Sequence, residues 1–138
     1  MDVWVKKFKP SKVKKKRFQL VLDDIPLPSL FDNKKRIMSV VNLESEAEAG
    51  NHFHTKTDEV FVGFGTIKAI FEDRHTKEQL IIDLNPLNNN GLLTAVSPGN
   101  KVAHKIINYG SESAMIVEIS SENLNEKEIH DYLIIEQK

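Results

Sequence analysis

The feature that most constrains this chain is a succession of short β-branched and aromatic runs, closely spaced and parted by turn residues. Such runs occupy residues 3–8, 18–22, 36–43, 59–64, 66–72, 78–84, 92–96, 105–108 and 114–119. Between them stand Asp23-Asp24-Ile25-Pro26-Leu27-Pro28, Asp73-Arg74-His75-Thr76-Lys77 and Asn108-Tyr109-Gly110. Prolines there fix φ and remove a donor, and Asp, Asn and Gly tolerate turn geometry. Many short strands with almost no helical spacing predict an all-β sandwich or barrel. One exception is expected: residues 123–132, with Glu126, Lys127 and Glu128, are predicted to form a short C-terminal helix. Residues 44–49 are expected to be a loop. The reading is of a single domain over 1–138, with its core in about 36–120 and N-terminal strands in 3–22.

Composition removes several classes of function. The net charge of -1 gives no bulk attraction to nucleic acid. The basic run Lys12, Lys14, Lys15, Lys16, Arg17 has no aromatic interleaving, so a solvated loop is expected rather than an RNA face. There is no cysteine, which excludes disulfides and thiolate ligands and leaves His, carboxylate and water for any metal. No apolar run approaches the roughly 20 residues of a membrane helix, and residues 1–10 lack an apolar signal-peptide core. A cytoplasmic protein is expected.

The chemistry concentrates in residues 50–65, GNHFHTKTDEVFVGFG. In a strand, residues i and i+2 share a face, so His52 and His54 converge. Four polar residues, Thr55 to Asp58, then predict a hairpin loop. Paired strands lie about 4.8 Å apart, so that hairpin would carry Glu59 to the histidine face. Two imidazoles and a carboxylate make most of a first-row transition-metal site. His-x-His alone arises often by chance; Glu59 at this spacing, and His104 downstream, strengthen the reading. Alternation in 59–64 places Glu59 with Phe61 and Gly63 on one face and Val60, Val62 and Phe64 on the other. His75 and His130 are expected to be surface or structural.

These residues resemble the cupin superfamily. Gly50, His52, His54, Glu59 and Gly65 follow its first motif, with somewhat short glycine spacings. Pro98, Gly99, His104 and Asn108 follow the second, with Gly99 two residues further from His104 than usual. The resemblance covers about residues 36–120 and implies a double-stranded β-helix, the cupin jelly roll. It implies His52, His54, Glu59 and His104 as ligands of a divalent transition metal: Zn, Fe, Mn or Ni.

A narrower similarity is to small cupins of cell-surface carbohydrate biosynthesis. These are the C-terminal cupin of capsular-sugar reductases and, more loosely, sugar-nucleotide 3,4-ketoisomerases and 3,5-epimerases. It implies a sugar or sugar-nucleotide substrate and proton transfer next to a carbonyl, with His52 or His54 as base and Lys56 or Tyr109 as oxyanion donor. A histidine that ligates metal is not free to be that base, so the two roles compete. Such cupins tend to carry Arg where this chain has Ala49; Lys34, Arg36 and Lys101 are the candidate substitutes. Two alternatives stand beside the isomerase. One is another metal-dependent cupin enzyme, a dioxygenase or phosphosugar isomerase; the other is a non-catalytic small-ligand module. Small cupins commonly dimerise, and Val3, Trp4, Val5 and Phe8 offer apolar surface for a homodimer.

Overall fold

The computed structural model describes residues 1–10, 12–14, 17–123 and 127–137. Two five-stranded antiparallel sheets carry the fold. The first has the order β1 (Val3–Phe8), β9 (Leu93–Pro98), β6 (Glu59–Phe64), β11 (Ala114–Ser120), β4 (Ile37–Leu43). The second has the order β12 (His130–Asp131), β5 (Glu48–Phe53), β10 (Ala103–Asn108), β7 (Ile67–Glu72), β8 (Gln79–Asp83). A separate ribbon pairs β2 (Lys12–Lys14) with β3 (Arg17–Gln19). The sheets face each other as a jelly roll and remain two sheets rather than closing into one continuous barrel.

Alternation sorts the side chains into layers. Leu43, Phe61, Phe71, Ile106 and Ile116 point between the sheets. Val60, Val62, Leu93, Ala95 and Ile119 point outward from the first sheet. That outer face is covered by Ile25 and Phe31, held in single 3-10 turns at Leu22–Asp24 and Ser29–Phe31 or just after them. Ile70 and Ala103 point outward from the second sheet and are covered by Ile134. β6 is therefore apolar on both faces because both of its faces are buried.

Five expectations need correction. The predicted hairpin between the histidine strand and the Glu59 strand does not form. β5 pairs with β10 and β12, whereas β6 pairs with β9 and β11. Residues 54–58 instead cross from one sheet to the other, a gap of about 10 Å that five residues span easily. The C-terminal helix is also absent among the described residues. Tyr132 and Ile134 follow a period of two, not 3.6, and their amides donate to Asn51 O and Asn51 Oδ1. The strand expected over 18–22 ends at Gln19, and β5 begins at Glu48 inside the expected loop. The described part of the basic run is ribbon rather than loop; Lys15 and Lys16 lie outside the described residues.

Candidate metal centre

The histidine strand carries a built-in irregularity. His52 faces His104 on β10, but Lys105 faces Gly50, so Asn51 is an extra residue on β5. This is a β-bulge, a device that re-aims side chains next to functional sites. Gly50 at φ +98° and Asn51 at φ +60° make it. A Cβ on Gly50 would stand 2.7 Å from the His104 carbonyl oxygen, so only glycine lets the strands meet here. Beyond the bulge, the His52 and His54 rings lie 4.7 Å apart between centroids. His104 lies 4.6 Å from His52 and 5.5 Å from His54.

Glu59 arrives from the opposite sheet. Its carbonyl accepts from Ser97 Oγ at 2.6 Å, and it pairs with Ser120 on β11. Glu59 Oε1 stands 2.7 Å from His54 Nε2 and 3.5 Å from His104 Nε2. The four side chains each offer one ligand atom, and these atoms all lie within 4.8 Å of one another. The pattern therefore brings together His52, His54, Glu59 and His104, and it does so across two sheets. Asp58 points away to an ion pair with Lys34, which leaves Glu59 as the carboxylate.

The protonation chemistry follows from burial. His104 is buried, which drives its pKa down to about 3 against the opposing Glu59 charge, so its imidazole is neutral. Burial also lowers His52, helped by the neighbouring His54. For His54, burial is outweighed by Glu59 and by the Glu128 carbonyl, and its pKa rises. Burial opposes the Glu59 charge, but the imidazoles of His54 and His104 hold its carboxyl well below the usual range. His54 Nε2 and Glu59 Oε1 are buried and 2.7 Å apart, an electrostatic contact, but they are not aligned for a hydrogen bond and no other group satisfies either. Buried polar atoms rarely stay unpaired. Two orphaned ligand atoms aimed at one space, flanked by two neutral imidazoles, fit a divalent transition metal.

A cavity of about 150 Å³ opens over this cluster, walled by Val41, Ala49, Phe61, Ile106, Ile116 and Ile129. Glu118 and Lys127 also line it. Lys127 Nζ reaches Glu59 Oε2 at 2.7 Å and also pairs with Glu118 Oε1. Burial and the adjacent Glu59 push the Glu118 carboxyl up to about 7. Sequence reasoning missed both residues. Glu118 was visible as a charge on the same strand parity as Ala114 and Ile116; Lys127 had no signal.

Other candidates lie elsewhere. Tyr109 bonds to Asp83 and Asn88 through its hydroxyl, and Lys56 does not line the cavity. Arg36 lines a different cavity with Met38 and Ile119. Asn108 is buried and knits a turn, donating to Leu43, Glu44 and Glu112 carbonyls. His75 is exposed, and His130 stacks on Phe53. No described helix is long and apolar enough to cross a membrane.

No family model and no curated protein matches the sequence. Solved structures match the fold. The capsular polysaccharide assembling protein CapF of Staphylococcus aureus superimposes with a TM-score of 0.65 at 18% identity, over 73% of this chain and 29% of that one. The chain thus spans under a third of CapF. QdtA, a sugar 3,4-ketoisomerase of Thermoanaerobacterium thermosaccharolyticum solved with TDP, matches with a TM-score of 0.65 at 21% identity, over 90% of this chain and 83% of that one. WlaRA, a TDP-fucose-3,4-ketoisomerase of Campylobacter jejuni, matches with a TM-score of 0.61 at 14% identity, over 94% and 88%. What they share with this chain is its fold, which is cupin-like.

Proposed function

We propose that this cupin-like chain is a metal-dependent isomerase or epimerase of surface-polysaccharide biosynthesis, moving a proton next to the carbonyl of a sugar or sugar nucleotide. The observation that carries the reading is the buried convergence of His52, His54, Glu59 and His104 beneath one cavity. The fold shared with QdtA and WlaRA supports the substrate class. The cavity volume suits one six-membered ring, since an apolar cavity of about 150 Å³ holds benzene. A nucleotide would lie outside it.

All four residues offer ligand atoms within 4.8 Å of one another, so any of them would be in reach of a bound metal, and their roles divide by environment. His54, Glu59 and His104 would hold it; with Nδ1 on the Glu128 carbonyl and Nε2 given to the metal, His54 would not be a free base. His52 is half-buried, and among the described residues no hydrogen bond holds its ring. In this reading a His52 ring nitrogen takes the proton from the carbon beside the carbonyl and returns it either to the other face of that carbon or, once the hydroxyl proton there has passed to the former carbonyl oxygen, to the neighbouring carbon. When bound, the metal would supply Lewis-acid polarisation of the carbonyl. The Lys127 ammonium faces the negative charge that develops on the oxygen.

The test is solvent exchange. TDP-4-keto-6-deoxyglucose and UDP-4-keto sugars incubated in D2O should gain deuterium with wild-type protein and not with His52→Ala. No exchange with any 4-keto sugar contradicts the isomerase. A second reading, a metal-dependent dioxygenase, is favoured by the apolar walls around a two-histidine, one-carboxylate set; oxygen uptake distinguishes it. We further propose a cytoplasmic homodimer. Trp4 and Phe8 pack on their own chain, but Val5, Val40 and Met115 are exposed apolar surface for self-association. Sedimentation as a monomer contradicts the dimer.

A further inference from the structure

Residues 127–134 form a strap along the cavity, which Lys127 and Ile129 line, and its first two residues touch two of the four cluster side chains. Lys127 Nζ occupies Glu59 Oε2 at 2.7 Å, which leaves Oε1 facing the histidines. The Glu128 carbonyl oxygen lies 2.6 Å from His54 Nδ1. A carbonyl only accepts, so Nδ1 carries a proton, and Nε2 is the ring atom aimed at the cluster and available to a metal there.

The Glu128 side chain fastens the strap to the loop directly after His54. Its carboxylate accepts from Thr55 N and Lys56 N, both at 2.6 Å, and from Thr55 Oγ1 at 3.0 Å. Further along, the strap is anchored on the histidine strand. The extra residue of the bulge, Asn51, receives the Tyr132 amide on its carbonyl and the Ile134 amide on its side chain. Ile134 is buried against Ile70 and Ala103, and its carbonyl accepts from Lys105 Nζ. The strap thus grips the segment that carries His52 and His54 at both ends.

We infer that this strap is the outer coordination layer of the metal site, that Glu128 is a positioning residue for His54, and that strap docking and metal binding are coupled. The inference rests on the reading of the cluster as a metal site. Outer partners of a ligating histidine fix its tautomer and ring orientation. Coupling is reciprocal: whatever the docked strap adds to metal affinity, metal adds to docking.

The test uses the full chain, stripped with chelator and titrated with Co2+, with binding followed by the visible ligand-field absorption. Wild type should bind about one Co2+ per chain. Glu128→Ala should bind roughly 10- to 100-fold more weakly, the usual loss for an outer-layer partner. Glu128→Gln, which keeps an acceptor oxygen for the loop amides, should recover part of that loss. In wild type, hydrogen exchange at the Tyr132 and Ile134 amides should slow when Co2+ is added. Equal affinity in Glu128→Ala, with strap exchange unmoved by metal in wild type, overturns this inference alone. A wild-type chain that binds no Co2+ overturns the metal reading and this inference with it. The exchange measurement needs no variant, so it decides even if Glu128→Ala does not fold.

Discussion

Lys127 is 7% exposed and sits between two carboxylates, Glu59 at 3% and Glu118 at 15%. Removing one member of a buried ion pair leaves an uncompensated charge, which costs on the order of 3 kcal/mol. Lys127→Met should therefore lower the Tm of the metal-free chain by roughly 10 °C. The deficit should shrink when Zn2+ is added, because a bound cation compensates Glu59 in place of the ammonium. A deficit unchanged by Zn2+ would place Glu59 outside the metal site. Glu128 gives a pH signature. Its slight burial opposes the charge, but the Lys56 and Thr55 amides and the Thr55 hydroxyl hold its pKa at about 2, below the ordinary 4.5. A depressed carboxylate stabilises above its ordinary value, and that contribution is lost as the pH falls. Strap docking should weaken from pH 4.5 toward 2, read as a loss of protection of the Tyr132 and Ile134 amides relative to their intrinsic exchange at each pH, and Glu128→Gln should flatten that dependence.

The bulge in β5 is the element on which the site turns. A methyl group at residue 50 meets the His104 carbonyl and requires positive φ of a non-glycine residue. Gly50→Ala should cost about 1–3 kcal/mol from backbone strain and should weaken metal binding, because the β5–β10 pairing is what sets His52 against His104. Ile134→Ala empties a fully buried position and should cost about 2–5 kcal/mol, loosening the strap as well. The strands themselves were largely legible in the sequence. Alternation in β6 put Phe61 on the face of Glu59 and Val60 and Val62 on the opposite face, and the structure separates them so, Phe61 between the sheets and the valines outside. The partner of each strand was not legible. Thr55 to Asp58 look like a hairpin loop because polarity and length are local properties, whereas the choice between turning back and crossing to the facing sheet depends on which strands β5 and β6 pair with far along the chain. The helix expected near the C-terminus failed for a related reason. Glu126, Lys127 and Glu128 suit a helix by propensity, but Lys127 and Glu128 are spent on long-range partners in and around the cavity.

At the scale of the molecule, two sheets deliver the site together. The second sheet and the residue just beyond β5 supply the histidines, the first supplies Glu59 and Glu118, and the strap supplies Lys127. The four-residue cluster could be named from sequence because its motif is local in two short stretches. Glu118 and Lys127 could not, since only the closed fold brings residues 59, 118 and 127 to one point. The same architecture ties stability to occupancy, so a chain with the site filled should melt higher than one stripped by chelator. The central claim is that the cluster of His52, His54, Glu59 and His104 binds one divalent transition metal, with His54, Glu59 and His104 as its ligands and His52 beside them as the base. Elemental analysis of protein purified without chelator or affinity-tag metal, beside the His52→Ala/His104→Ala double variant, tests it most directly. The account predicts near one equivalent of a single metal per chain in wild type and almost none in the variant, with both folded. Folded wild type that carries no metal, and takes up none when supplied with Zn, Fe, Mn or Ni, would contradict it.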